Sequence, residues 1–338
     1  MRAIIPGSDS ALKISDKLAD HFFVVGNPVA TCLSRVNKWE MKKRLISKGI
    51  NATPSFKITL DELIEGAEFD IPFPMVVKPC QGTGSKNVKI CNSRGDVYRA
   101  LAAIESAGES YIAEEKFALM EEYIDGQEYF IATANLGKNL SRQILCFAEY
   151  EKIRVGNNPS VYKNIRSVSP LSEMALNAFS YVEQVNDTLE ANIGINDIEF
   201  KINSKGVFII EQNGRLPGAN VPSLIELCTG INLYDLNIDL FLGVPPLYVH
   251  APEYHKHFCI CCLISYKGGN LKKIDGLEFV TELESFQQVN LLVTEGDIVE
   301  PTEDFLSSWG FVYLAHENPE LLKLHSDIVH EKMKLLYF

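Results

Sequence analysis

The sequence predicts an α+β fold, and three observations predict it. Short apolar strand-like runs crowd the middle of the chain, the turns between several of them are of hairpin length, and the helix-like stretches do not alternate strictly with the strands. A single doubly wound sheet would also need a first strand, and residues 2–5 offer at most an abbreviated one. With 338 residues the chain can bury a large core and divide into two or three lobes.

Taken in order, residues 11–21 and 37–47 read as helices joined by a Gly26-Asn27-Pro28 turn. Asn37 is the N-cap of the second, which stops before Lys48-Gly49. From Phe73 the pattern changes to strands over 75–78 and 88–91, separated by a glycine-bearing loop. A helix over 94–107 follows, then a strand region leading into 118–124, and strands over 129–135 and 143–150. The polar stretch 154–169 reads as a mobile loop, 170–192 as a long helix, and 222–227 as the start of another. Beyond Gly243-Val-Pro-Pro246, residues 247–338 read as a small mixed lobe closing on a helix over 318–336.

A formal net charge of -12 argues against general nucleic-acid binding, which normally needs a basic face to displace counterions from phosphates, and leaves room for a local basic pocket. No apolar run reaches the roughly 18 residues that span a bilayer, and the first residues lack the flanks of a signal peptide, so the expected location is the cytoplasm. The eight cysteines show no paired metal spacing; they are expected to be small buried hydrophobes in a reducing compartment, with no zinc site.

The most informative residues are Glu199 and Glu211, on adjacent apolar strands, the second running into Gln-Asn-Gly-Arg-Leu-Pro-Gly218. If Ser204-Lys205-Gly206 is a three-residue loop with Gly206 left-handed, Glu199 falls opposite Glu211. Directly opposed acids destabilise a strand pair, so a divalent cation between them, with Asn213 as a further oxygen ligand, explains the arrangement. Two solvated acids at strand ends are the alternative. Arg215 favours the first, because a guanidinium beside a metal suits phosphate or a developing oxyanion.

Three further segments suit a nucleotide. Lys78 ends a strand before Pro79-Cys-Gln-Gly82-Thr83-Gly84-Ser85-Lys86, a loop whose backbone N–H groups can close over phosphates; an ordinary hairpin connection is the alternative. The extended backbone of Glu121, Glu122, Tyr123 and Ile124 can offer adenine a carbonyl and an amide, and Glu128 can accept from ribose hydroxyls; a turn with a solvated acidic face is the alternative. Lys38, near the start of the second helix, can reach a phosphate; an ordinary helix-surface lysine is the alternative.

In this order Lys38, Val76-Val-Lys78-Pro79 with its glycine loop, Glu121 to Glu128, Glu199, and Glu211-Gln-Asn213-Gly-Arg215 resemble the ATP-grasp superfamily over most of residues 30–242. The resemblance implies two α+β lobes clasping ATP, with a shortened N-terminal lobe over 1–50 and an ATP-grasp domain over 51–242. Within that domain about 73–123 would form the lid, and 243–338 would be a C-terminal mixed subdomain. It implies Lys38 and Lys78 near the phosphates, residues 82–85 as lid loop, 121–124 at adenine, Glu128 at ribose, and Glu199, Glu211 and Asn213 on Mg²⁺, or Mn²⁺ in its place.

The run from Glu211 to Gly218, followed by Pro222-Ser-Leu-Ile-Glu-Leu-Cys-Thr-Gly-Ile-Asn-Leu233, looks most like the L-amino acid ligases. Two departures stand out: Asp197 occupies a position where such ligases often carry histidine, and the N-terminal lobe lacks most of its first α/β unit. The implied reaction joins an amino-acid carboxylate to an amine through an acylphosphate, with Arg215 and Lys78 as catalytic residues. A carboxylase-like activity and a non-catalytic Mg-ATP-binding subunit are the alternatives. The implied partners are small carboxylates and amines, with no nucleic acid and no membrane; a homodimer is compatible with the sequence.

Overall fold

The computed structural model describes the chain except residues 83, 108–116, 139, 141, 157 and 245–251. Helix α1 (Leu12–His21) follows a 3₁₀ turn at Asp9–Ala11, and residues 2–5 form no strand. A second 3₁₀ stretch, Val29–Arg35, leads into α2 (Lys38–Ser47). Asn37 is the N-cap of α2, its side chain accepting from the backbone N–H groups of Trp39 and Glu40 and so satisfying donors that the first turn leaves open.

Two elements that apolar patterning alone does not announce come next, strand β1 (Ser55–Ile58) and helix α3 (Leu60–Ile64). Thr59 and Glu62 start α3 with a reciprocal capping box. Then come β2 (Met75–Pro79), β3 (Lys89–Cys91), α4 (Arg94–Ser106) and β4 (Ala118–Glu122). The four strands make an antiparallel sheet in the order β1-β4-β2-β3. Met75 and Val77, like Ala118 and Met120, lie two apart and so share a face, on which Val97, Ala100 and Leu101 of α4 close a core.

The chain continues through β5 (Gln127–Leu136), β6 (Gln143–Val155), β7 (Asn158–Val168), α5 (Glu173–Leu189), β8 (Ile193–Asn203) and β9 (Gly206–Asn213). Strand β7 corrects the expectation of a mobile loop over 154–169. Its polar residues pair across the ladder with β6: Lys163 Nζ lies 3.1 Å from Glu151 Oε1 and Arg166 Nη2 2.5 Å from Glu151 Oε2. Charged residues paired between strands hid a strand that buries Val161 and Ile165.

The remaining elements are α6 (Val221–Thr229), α7 (Leu233–Leu242), β10 (His257–Leu263), β11 (Gly269–Asp275), α8 (Leu277–Thr281), β12 (Phe286–Leu291), β13 (Ile298–Val299), β14 (Gly310–His316), α9 (Pro319–Lys332) and β15 (Lys334–Tyr337). The helix expected over 318–336 therefore stops at Lys332, and its last residues form a strand that pairs with β11. All eight cysteines are buried, as expected.

The residues form two compact units. The first comprises Met1–Cys146, Pro170–Pro222 and Asn232–Ala251. It holds the β1-β4-β2-β3 sheet and an antiparallel ladder in which β8 pairs with both β5 and β9, with α2 packed on α5 and α7 on β8. The second comprises Phe147–Ser169, Ser223–Ile231 and Pro252–Phe338. There β10 pairs with β7 and β14, and α9 buries Leu322 and Val329 against Cys259, Cys261, Val312 and Leu314.

Candidate functional site

The β8–β9 hairpin brings Glu199 opposite Glu211, by a different path from the one expected. Asn203 pairs with Gly206, so the turn is the two residues Ser204-Lys205, and Ile210 then bulges out between the Phe200–Ile209 and Glu199–Glu211 pairs. The shorter turn and the extra residue cancel. Gly206 has φ +131, a conformation open to glycine. Asp197 pairs with Asn213 in the same ladder, so Asp197, Glu199, Glu211 and Asn213 all fall on one face.

Lys38, on the first turn of α2, joins that face to the glycine loop. Its Nζ lies 2.6 Å from Glu211 Oε1 and donates to the Gly82 carbonyl at 3.0 Å. Asp9, Arg35, Gly82, Glu211 and Asn213 are among the residues lining one pocket. The loop turns through positive φ at Gly82, Gly84 and Ser85; Thr83 lies outside the described residues.

A second charge cluster sits between α2, β2 and β4. Glu121 Oε1 lies 2.5 Å from Lys78 Nζ and Glu121 Oε2 2.6 Å from Lys42 Nζ, with all three side chains buried. Lys42 Nζ also donates to the Ile209 carbonyl at 3.4 Å. Burial outweighs the attraction of Glu121 and lowers Lys42 to about 8. Burial opposes ionisation of Glu121 as well, yet Lys42 and Lys78 together hold it down to about 2.

This cluster bears on the segment assigned to adenine. Glu121 pairs in the ladder with Ser55 on one side and Val76 on the other, and the Glu122 N–H donates to the Pro54 carbonyl. The backbone beyond the ladder begins at Tyr123, where Lys201 Nζ sits 4.9 Å from the ring centroid and donates to the Ile124 carbonyl at 3.0 Å. Glu128 is buried on β5, opposite Lys201.

Arg215 is gripped by two carboxylates. Its Nε lies 2.9 Å from Asp9 Oδ1, its Nη2 3.1 Å from Asp9 Oδ2, and its Nη1 2.8 Å from Asp197 Oδ2. Burial alone would lower the guanidinium's pKa, but Asp197 and Asp9 raise it above the ordinary arginine value. Burial pushes the Asp197 carboxyl up against the pull of Arg215.

The structure thus joins Lys38 with Glu211 and Gly82, and Lys78 with Glu121, while Arg215 meets acids rather than lysines. Two participants escaped sequence reasoning. Lys42 was signalled by its spacing, four residues after Lys38 and hence on the same helical face. Asp9 carried no signal, since 206 residues separate it from Arg215.

Among the described residues, no group of three or more His, Cys, Asp or Glu could hold a metal ion. A cation at Glu199 and Glu211 would need the Asn213 amide oxygen and ligands from its substrate, a set that suits Mg²⁺. The residues fit such an ion, because Glu211 already draws a cation, the Lys38 ammonium.

The ATP-grasp domain family matches residues 71–223. Dapdiamide A synthase of Enterobacter agglomerans is 25% identical over 339 residues, covering 96% of this chain and 77% of that protein. The L-arginine-specific L-amino acid ligase of Bacillus subtilis is 24% identical over 334 residues, covering 93% of this chain and 75% of its own length. The crystal structure of an L-amino acid ligase from Bacillus licheniformis superimposes with a TM-score of 0.83 at 20% identity, covering 98% of this chain and 80% of that one. At that identity the likeness is one of fold.

Proposed function

We propose that this chain, an ATP-grasp protein, is an ATP-dependent ligase that forms a C–N bond between an amino-acid carboxylate and an amine. The observation that carries the reading is the Glu199–Glu211 pair, with Lys38 linking Glu211 to the glycine loop. Opposed acids beside lysines suit a magnesium-bound polyphosphate better than a sheet edge in water.

In the proposed reaction a carboxylate oxygen attacks the γ-phosphorus of ATP and ADP leaves. An amine nitrogen then attacks the acyl carbon and phosphate leaves. Such a reaction needs positioning and charge neutralisation more than a protein nucleophile. Lys38 and Lys78 supply positive charge to the phosphates, residues 82–85 cover them, and Tyr123, Ile124 and Glu128 hold the nucleoside. Glu199, Glu211 and Asn213 would hold Mg²⁺, which when bound supplies charge neutralisation at the β- and γ-phosphates. Arg215 stabilises the oxyanion of the second step once a substrate carboxylate or phosphate replaces one of its aspartates.

A coupled ADP-release assay over pairs of amino acids tests this, with bicarbonate as the carboxylase control. Glu211→Gln is expected to lower ligation by about a hundredfold or more, by analogy with the loss of one electrostatic stabiliser. Unchanged turnover by that variant would overturn the metal assignment. One observation favours a second reading, an Mg-ATP-binding chain without turnover: Arg215 is already engaged by Asp9 and Asp197. That reading predicts nucleotide binding with no ADP release for any pair.

A further inference from the structure

Lys42 is 1% exposed, and an ammonium so deeply buried survives only beside an anion. Its anion is shared. Glu121 gives one carboxylate oxygen to Lys78 and the other to Lys42, so three elements, α2, β2 and β4, meet at one carboxylate. Each oxygen is thereby ion-paired, and the carboxylate cannot turn without lengthening one of the two contacts. We propose that Glu121 and Lys42 are positioning residues for Lys78: they hold its ammonium at the end of β2, before the glycine loop, aimed at the nucleotide phosphates. This rests on the nucleotide-binding reading above. An ammonium has three N–H donors, so after serving Glu121 Lys78 keeps two for phosphate oxygens.

The groups facing Lys42 are Glu121 on β4, Lys78 on β2, Lys38 on its own helix and the Ile209 carbonyl on β9. With its pKa lowered to about 8, Lys42 loses its proton within an accessible range. Neutral Lys42 no longer fixes the second Glu121 oxygen. Glu121 then turns toward Lys78 and draws its ammonium away from the phosphates, so nucleotide affinity falls as pH rises.

The test is isothermal titration of Mg-ADP between about pH 6.5 and pH 9.5, a range spanning the Lys42 titration. The natural chain is expected to lose roughly tenfold in affinity above about pH 8. Lys42→Arg keeps its charge and is expected to bind within about threefold of the natural chain at neutral pH, with the alkaline loss abolished. Lys42→Met is expected to bind about tenfold more weakly at every pH, equivalent to about 1.4 kcal/mol.

A merely structural role would lower the melting temperature of Lys42→Met and leave its Mg-ADP affinity and pH profile natural; that result overturns the proposal. So does an identical alkaline fall in the natural chain and Lys42→Arg, a comparison that decides the matter if Lys42→Met fails to fold. A natural chain that binds no Mg-ADP at any pH overturns the nucleotide reading itself and this proposal with it. That outcome is distinct from natural binding with a lysine variant unchanged.

Discussion

Glu121 concentrates the electrostatics of the site in one side chain. Its folded pKa, about 2, lies below the ordinary 4.5, so its ion pairs contribute stability that is present above about pH 4.5 and lost as pH falls toward 2. At about 1.4 kcal/mol per unit the contribution is on the order of 3 kcal/mol. Urea denaturation from about pH 5 to pH 2.5 is expected to show this acid loss. Glu121→Gln should be destabilised by about 3–5 kcal/mol at pH 7, because two buried lysines lose their anion, and its acid limb should be shallower. Equal slopes for the two proteins would contradict the assignment. At this scale the sequence was legible where geometry is local: the pairing of Glu199 with Glu211 follows from strand alternation beside a turn. Lys42 was legible only as a helix-face neighbour of Lys38. The pairing of Asp9 with Arg215 was not legible, because it joins the start of the chain to a strand end and no local rule connects them.

Helix α2 delivers two lysines from one cap. Lys38 is its first residue and Lys42 lies one turn on, so the Asn37 cap fixes both. Asn37→Ala is expected to cost about 1 kcal/mol of stability by urea denaturation. It should also weaken Mg-ADP binding, whereas a cap of equal strength, Asn37→Asp, should keep both. The hairpin shows how an element can reach the expected register by an unexpected route. Turn length and strand parity pointed to Glu199 opposite Glu211, and the two-residue turn needed the Ile210 bulge to restore that parity. Bulges leave little trace in composition, so the route was hidden although the destination was visible. Strand β7 was hidden for another reason. Its lysine and arginine are half-buried residues whose partners lie on β6, and polarity alone cannot separate such a strand from a loop.

The whole molecule divides its two tryptophans between its two units, Trp39 in the first and Trp309 in the second. Single-tryptophan variants, Trp309→Phe and Trp39→Phe, therefore report each unit separately. Mg-ADP is expected to raise the thermal midpoint seen by Trp39 more than that seen by Trp309, since every proposed contact lies in the first unit. Equal shifts in both signals would mean that the units unfold as one. The broad α+β reading was legible at this scale because it depends on the order of elements. The discontinuous first unit was not, since it is assembled from segments that return after an excursion through the second. Lys38 has a last consequence. If Glu211 is a metal ligand as proposed, a divalent ion would meet an ammonium already in its seat, so loading would be an exchange of cations and not the filling of a bare anionic hole. The local charge would rise by one unit, and the departing ammonium would also let go of the Gly82 carbonyl. Arrival of the ion would then be coupled to release of the loop.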